Sequence, residues 1–156
     1  MLVVSDTSVF TLRATCDNRM TLFVDGTQRQ PTSGSLTSWT EEKIFQIEQT
    51  FQTIAIKCRD TGGAEGTLAS VENASGRTFL VTDGSWRCAD SEQLGWTAAD
   101  FNEDPAVWKS AVEIGAHGMG PWGVVGSISQ EAKWIWYQNR AVDISFCRFT
   151  RPKGKN

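Results

Sequence analysis

Wherever this chain shows a hydrophobic period, the period is two. Phe10, Leu12 and Ala14 alternate with Thr11, Arg13 and Thr15, and Cys16 continues the apolar phase. Successive side chains of a strand point to opposite faces, so this alternation describes strands with one face buried and one wet. The pattern returns at 53–58, where Ile54, Ile56 and Cys58 share a phase. At 142–149, Val142, Ile144 and Phe146 share one phase and Cys147 takes the other. Further strands are expected at 21–25, 43–47, 66–71, 77–82, 110–114 and 132–137, and no stretch of helix length holds a helical period. Many short strands with no helices between them predict an all-β fold, a two-sheet antiparallel β-sandwich.

Turn chemistry punctuates the strands. Asp17, Asn18 and Arg19 read as a tight hairpin turn, because Asp and Asn side chains satisfy local backbone amides. Asp25-Gly26 marks a second turn. A loop rich in Ser, Thr and Gly spans 31–40, and Gly62-Gly63-Ala64-Glu65-Gly66 lies between two strands. With no helix N-terminus beside it, that glycine run is a turn and not a phosphate cradle. From 85 to 131 the alternation dissolves into a long connection carrying Trp86, Trp96, Trp108 and Trp122, and connections of that length are functional or packed on themselves.

The chain has 156 residues, the size of one ordinary domain, so a single domain over 1–156 is expected. Its net charge of −3 lacks the clustered Lys and Arg that phosphate neutralisation requires, which argues against nucleic acid. Arg151, Lys153 and Lys155 read as a solvated basic terminus. No apolar run is long enough to span a membrane, and the apolar start at 1–4 is too short for a signal-peptide core. Cys16, Cys58, Cys88 and Cys147 are widely spaced, which rules out a C-x-x-C motif and suits two disulfides in an oxidising compartment. Cys16 and Cys58 share an inward phase, making a core bridge between them thinkable with Cys88 to Cys147 as remainder, but three pairings stay open. Asn73-Ala74-Ser75 is a glycosylation sequon in a turn, which leans toward an extracellular, secreted protein.

Cys16-Asp17-Asn18, followed by Leu22-Phe23-Val24-Asp25-Gly26, resembles the "A-D-N … L-Y-V-N-G" segment of galactose-binding-like jelly-roll domains, found in lectins and as accessory domains of rhamnosidase-type glycosidases. The similarity continues through 53–57, through the turn at 61–68, and through Thr82-Asp83-Gly84-Ser85-Trp86. It then takes in Gly95-Trp96, Asp100-Phe101, Trp108, Pro121-Trp122-Gly123 and Trp134-Ile135-Trp136, covering about 9–149. The resemblance implies a jelly-roll sandwich, and a galactose-containing glycan as ligand. Fold alone does not assign a ligand. The fucose-binding branch of this fold carries a His and an Arg-x-Asp; His117 has no Arg-x-Asp downstream, so fucose specificity is not carried over.

Catalysis finds little support. His117 is the sole histidine, and no nucleophile motif accompanies it. A glycosidase pair needs only two carboxylates close in space, which 18 acidic residues supply without any special design. Asp100-x-Asn102-x-Asp104 opens like a calcium loop, but Pro105 stands where its glycine belongs and Ala111 where its bidentate Glu belongs, which excludes an EF-hand. No cofactor is expected, although a structural calcium held by scattered carbonyls and carboxylates stays open.

A sugar site needs an aromatic face for the apolar side of a pyranose and planar polar groups that bond pairs of hydroxyls. Asp83, Trp86 and Arg87 offer that mixture in one loop, and His117, Met119 and Trp122 offer it in another. Arg59 and Asp60, with Asp17 and Arg19, join if their strand ends meet at the same rim. The expected function is a non-catalytic lectin whose partners are glycans or glycoproteins, with homo-oligomerisation raising avidity. The alternatives are a non-catalytic accessory domain of a glycoside hydrolase and a structural or adhesion domain that binds protein.

Overall fold

The computed structural model describes residues 9–152; the apolar start at 1–4 and the tail residues Lys153 and Lys155 lie outside it. The described residues contain twelve strands and no helix: β1 (Val9–Asp17), β2 (Arg19–Val24), β3 (Thr27–Arg29), β4 (Lys43–Glu48), β5 (Thr53–Arg59), β6 (Gly66–Glu72), β7 (Thr78–Val81), β8 (Arg87–Ala89), β9 (Lys109–Ser110), β10 (Val112–Ala116), β11 (Lys133–Trp136) and β12 (Ile144–Thr150). They form two antiparallel sheets. The first runs β10-β11-β6-β1-β4 with β7 also on β6, and the second runs β3-β2-β5-β12-β8-β9. The expected sandwich is the observed one.

One local expectation is overturned. Asp17, Asn18 and Arg19 do not close a hairpin, because β1 pairs with β4 and β6 in the first sheet while β2 pairs with β3 and β5 in the second. The segment is a corner where the chain crosses between sheets, and the Asp17–Asn18 peptide is cis. Crossing lets β1 and β2 bury Cys16 and Met20 in the same core from opposite sides. Asp25-Gly26 is a true hairpin turn, joining Val24 to its partner Thr27 with positive φ at both central residues (49° and 85°), as a type I′ turn requires.

The long connection from 85 to 131 contains more order than its sequence pattern shows. β8 and β9 have only 3 and 2 residues, too few to display alternation. β8 owes its existence to the register offered by β12, with Cys88 opposite Cys147. Ala111 then marks the switch of sheet between β9 and β10.

Three apolar clusters result. Between the sheets, Phe10, Leu12, Ala14 and Cys16 of β1 meet Met20, Leu22 and Val24 of β2 and Ile54, Ile56 and Cys58 of β5. The disulfide Cys16–Cys58 ties the two sheets together, and Cys88–Cys147 ties β8 to β12. The outer face of the first sheet is covered by the segment 117–132, whose Trp122, Val125, Ile128 and Ala132 pack on Leu68 and Trp134. The outer face of the second is covered by 90–108, whose Trp96 and Trp108 pack on Ala55, Ala89 and Phe146.

Arg148 holds that second cover in place. It is only 2% exposed, donates from Nε to the Trp96 carbonyl (2.9 Å) and from Nη2 to the Ala98 carbonyl (2.7 Å), and pairs with Glu103. Its guanidinium also lies over the Phe101 ring, 5.1 Å from the centroid. The buried charge is thus paired and hydrogen-bonded, as burial demands.

Candidate functional site

Strand register brings four chain segments to one end of the sandwich. Asp17 stands opposite Gly66, and Arg59 stands opposite both Arg19 and Ile144. Backbone bonds stitch the segments together: Asn18 N–H donates to the Arg59 carbonyl (2.8 Å) and Asp60 N–H to the Asp143 carbonyl (2.7 Å). Thr61 N–H donates to Asn18 Oδ1 (2.8 Å), and Gly62 N–H to Asp60 Oδ1 (3.0 Å). Asn18 and Asp60 each spend one oxygen on these bonds, which leaves the Asn18 amide donors and the second Asp60 oxygen for other partners.

An aromatic stack on the outer face of the first sheet reaches this end through Asp17. Trp122 stacks on Trp134 with centroids 4.0 Å apart, and its indole N–H donates to Asp17 Oδ2 (2.9 Å). Gly66 lies under the stack, where a Cβ would meet Trp134 Cε3 at 2.6 Å. Burial pushes the Asp17 carboxyl above its usual 3.8, the Trp122 hydrogen bond pulls it back, and the charges of Asp60 and Glu65 push it up further. Glu65 is buried at the same end and pairs with the exposed Arg140. The rim therefore gathers carboxylate, amide and guanidinium groups, planar functions suited to binding adjacent hydroxyls.

The structure unites some of the sequence-predicted residues and separates others. Arg59 and Asp60 adjoin at this end of the sandwich, and Trp122 reaches it only through its bond to Asp17. Asp83, Trp86 and Arg87 lie away from it; Arg87 pairs in register with Arg148, and Asp83 Oδ1 accepts from the Ser85 N–H (2.9 Å) in a local turn. Trp86 and Trp122 are 1% and 6% exposed, and the Trp86 indole N–H donates to the Val81 carbonyl (3.0 Å), so neither ring offers a stacking face. His117 is 5% exposed. Its Nε2 accepts from the Val125 N–H (2.8 Å), so the proton sits on Nδ1 and is directed at the Ser129 carbonyl (3.2 Å). With both ring nitrogens occupied, His117 braces the cover segment.

Sequence reading passed over Glu65 and Arg140. Glu65 carried a signal, since it follows Asp60 on the same short turn; Arg140 carried none, being 75 residues from its partner. Clefts with a defined volume lie elsewhere. A cleft of 530 Å³ is lined by Phe23, Glu92, Gln93, Leu94, Gly95, Trp96 and Thr97, but it has no guanidinium and no second carboxylate, so the rim is the better candidate on chemistry.

No group of three or more His, Cys, Asp or Glu is gathered as a metal site among the described residues. One cage of oxygens holds an ammonium. Lys43 is fully buried and donates from Nζ to Thr15 Oγ1 (3.0 Å), to the Glu41 carbonyl (2.7 Å) and to the Ser38 carbonyl. Burial lowers its pKa to about 8, with Glu41 opposing the shift.

Two antiparallel sheets, outer faces covered in part by their own loops and a polar rim at one end make up a β-sandwich, and its likeness to a lectin comes from comparison. The chain is similar to a crystallised lectin from Pleurotus ostreatus in complex with GalNAc, at 30% identity over 80% of this chain with a TM-score of 0.61. The match covers 37% of that lectin's chain. No protein-family profile matches the sequence, and no curated protein does.

Proposed function

We propose that this domain is a non-catalytic carbohydrate-binding unit that recognises a glycan at the rim formed by Asn18, Arg59, Asp60 and the Glu65–Arg140 pair. The likeness to a lectin crystallised with GalNAc carries this reading. The rim supports it by gathering planar hydrogen-bonding groups on segments that hydrogen bonds stitch together, which orders them before a ligand arrives. Galactose-type sugars, the galactose-binding-like kinship and a single 1–156 domain all belong to this proposal. So does a secreted location, in which the Cys16–Cys58 and Cys88–Cys147 disulfides persist. Assembly into a homo-oligomer would raise avidity from a shallow site. A structural calcium is a separate question that a chelator answers.

The test is a glycan array probed with the purified chain, with and without chelator, followed by calorimetry on the best ligand. Selective binding to related glycans that drops at least tenfold in Asp60→Asn and in Arg140→Met supports the reading. A blank array from folded protein sinks it. Chelator-sensitive binding adds a metal.

A further inference from the structure

The fold gives most of its arginines a partner. Arg13 binds Glu42 and Glu72, Arg29 binds Glu48, Arg140 binds Glu65 and Arg148 binds Glu103, while Arg151 donates to the carbonyls of Gln49 and Phe51. Arg19 and Arg59 are exceptions. They are direct cross-strand partners on β2 and β5, and both are exposed. Their neighbours Met20 and Cys58 point into the core, so strand alternation turns Arg19 and Arg59 together onto the outer face of the second sheet.

Directly opposed side chains in an antiparallel pair lie about 5 Å apart at Cβ, and like charges there repel. Nothing in the described structure relieves that repulsion: neither guanidinium has a carboxylate within ion-pair distance. Asp60 is adjacent in sequence, but one of its oxygens is already bound to the Gly62 N–H. Lys57 lies two residues along the same face of β5 and extends the positive strip, partly balanced by Glu92 at 3.6 Å. On a chain of net charge −3, two unpaired guanidinium groups held side by side at the edge of the candidate rim form a clamp for an oxyanion.

We infer that Arg19 and Arg59 form an anion subsite, and that the glycan this domain prefers carries a sulfate ester or a carboxylate beside the sugar seated at the rim. This deepens the carbohydrate-binding reading and rests on it. Arg59 serves both the rim and the clamp, whereas Arg19 serves the clamp alone. The neutral sugar supplies recognition, and the oxyanion lifts affinity through charge-assisted hydrogen bonds that salt screens.

The experiment measures calorimetric affinity of the full chain for neutral galactose- and N-acetylgalactosamine-terminated glycans and for the same glycans bearing sulfate or carboxylate, at 50 and 300 mM salt. At low salt the acidic forms should bind about tenfold more tightly or better, and most of that gain should vanish at high salt. Arg19→Gln should abolish the gain and leave neutral-glycan affinity unchanged, and Arg19→Glu should turn it into a penalty. A gain from one type of acidic group alone still supports the subsite and names its anion. Equal affinity for neutral and acidic forms, or a gain that survives Arg19→Gln, overturns this inference while leaving the carbohydrate reading intact. No binding to any of these glycans by folded protein removes both.

Discussion

The indole N–H of Trp122 donates to the buried carboxylate of Asp17 across 2.9 Å, joining residues 105 positions apart in the sequence. This bond fastens the cover of the first sheet to the corner where the chain changes sheets. It also stabilises the ionised form of a carboxyl whose burial favours the neutral one.

Replacing Trp122 with Phe removes the bond and keeps most of the ring. The folded pKa of Asp17 already lies above its unfolded 3.8, so this group contributes stability below that pH and loses it as pH rises through the folded value. Losing the indole N–H raises the folded value further. Urea unfolding should therefore show Trp122→Phe costing about 1.5–3 kcal/mol at pH 7 and clearly less at pH 3. An equal cost at both pH values contradicts the linkage.

Lys43 has the opposite sign. Its folded pKa of about 8 lies below the unfolded 10.5, so between those values the unfolded chain binds more protons and this group makes the fold more stable as pH rises. Lys43→Met removes that pH response and leaves the Ser38 and Glu41 carbonyls without their donor, at a cost of about 1–3 kcal/mol. Thermal unfolding of both proteins from pH 7 to 10.5 should show the wild type gaining on the variant. Parallel curves would show that the ammonium is not confined.

Arg148→Met strips the second cover of its anchor and leaves Glu103, itself partly exposed, with the longer contact to Arg87 at 3.9 Å. The loss should be about 1.5–3 kcal/mol, the range for hydrogen bonds to a charged group. Hydrogen exchange should accelerate at 96–103 before it does in β5 or β12, and tryptophan emission should shift to the red as Trp96 and Trp108 gain water. Uniform exchange across the chain would mean that the cover does not open by itself.

Gly66 is a close-approach glycine. A methyl there collides with the Trp122–Trp134 stack, so Gly66→Ala should cost about 1–3 kcal/mol as the rings are displaced. The near-ultraviolet dichroism of the stacked indoles should weaken with it. Unchanged stability and dichroism would show that the stack has room to yield.

Strand phase was readable because one side of each strand must be dry: Leu12 and Ile54 face the main core on the side their alternation assigned, whereas in β12 it is Cys147 that faces this core and Phe146 that packs under the outer cover. The pairing of Cys16 with Cys58 agrees with their shared phase. The corner at Asp17–Asn18 was misread because Asp and Asn satisfy backbone amides equally well in a hairpin and at a change of sheet. Trp86 and His117 looked exposed because glycine-rich loops give no local sign of being packed. What buries them is distant in sequence, as with the Ser129 carbonyl opposite His117. Arg59 and Asp60 were accessible to reasoning because they end a strand, whereas Arg140 depends on a partner that only the folded chain brings near.

The covers over both sheets also restrict how copies of this domain can be arrayed. Among the described residues the apolar part of each outer face is covered, and the exposed large apolar residues are Val9, Phe79, Leu94 and Val124. The sheet edges β3, β4, β9 and β10 are the margins along which copies could pair strand to strand. Copies joined in parallel along those margins would point their rims in one direction at a spacing set by the width of the sandwich. Such a comb matches a surface crowded with sugar chains better than it matches one glycan free in solution.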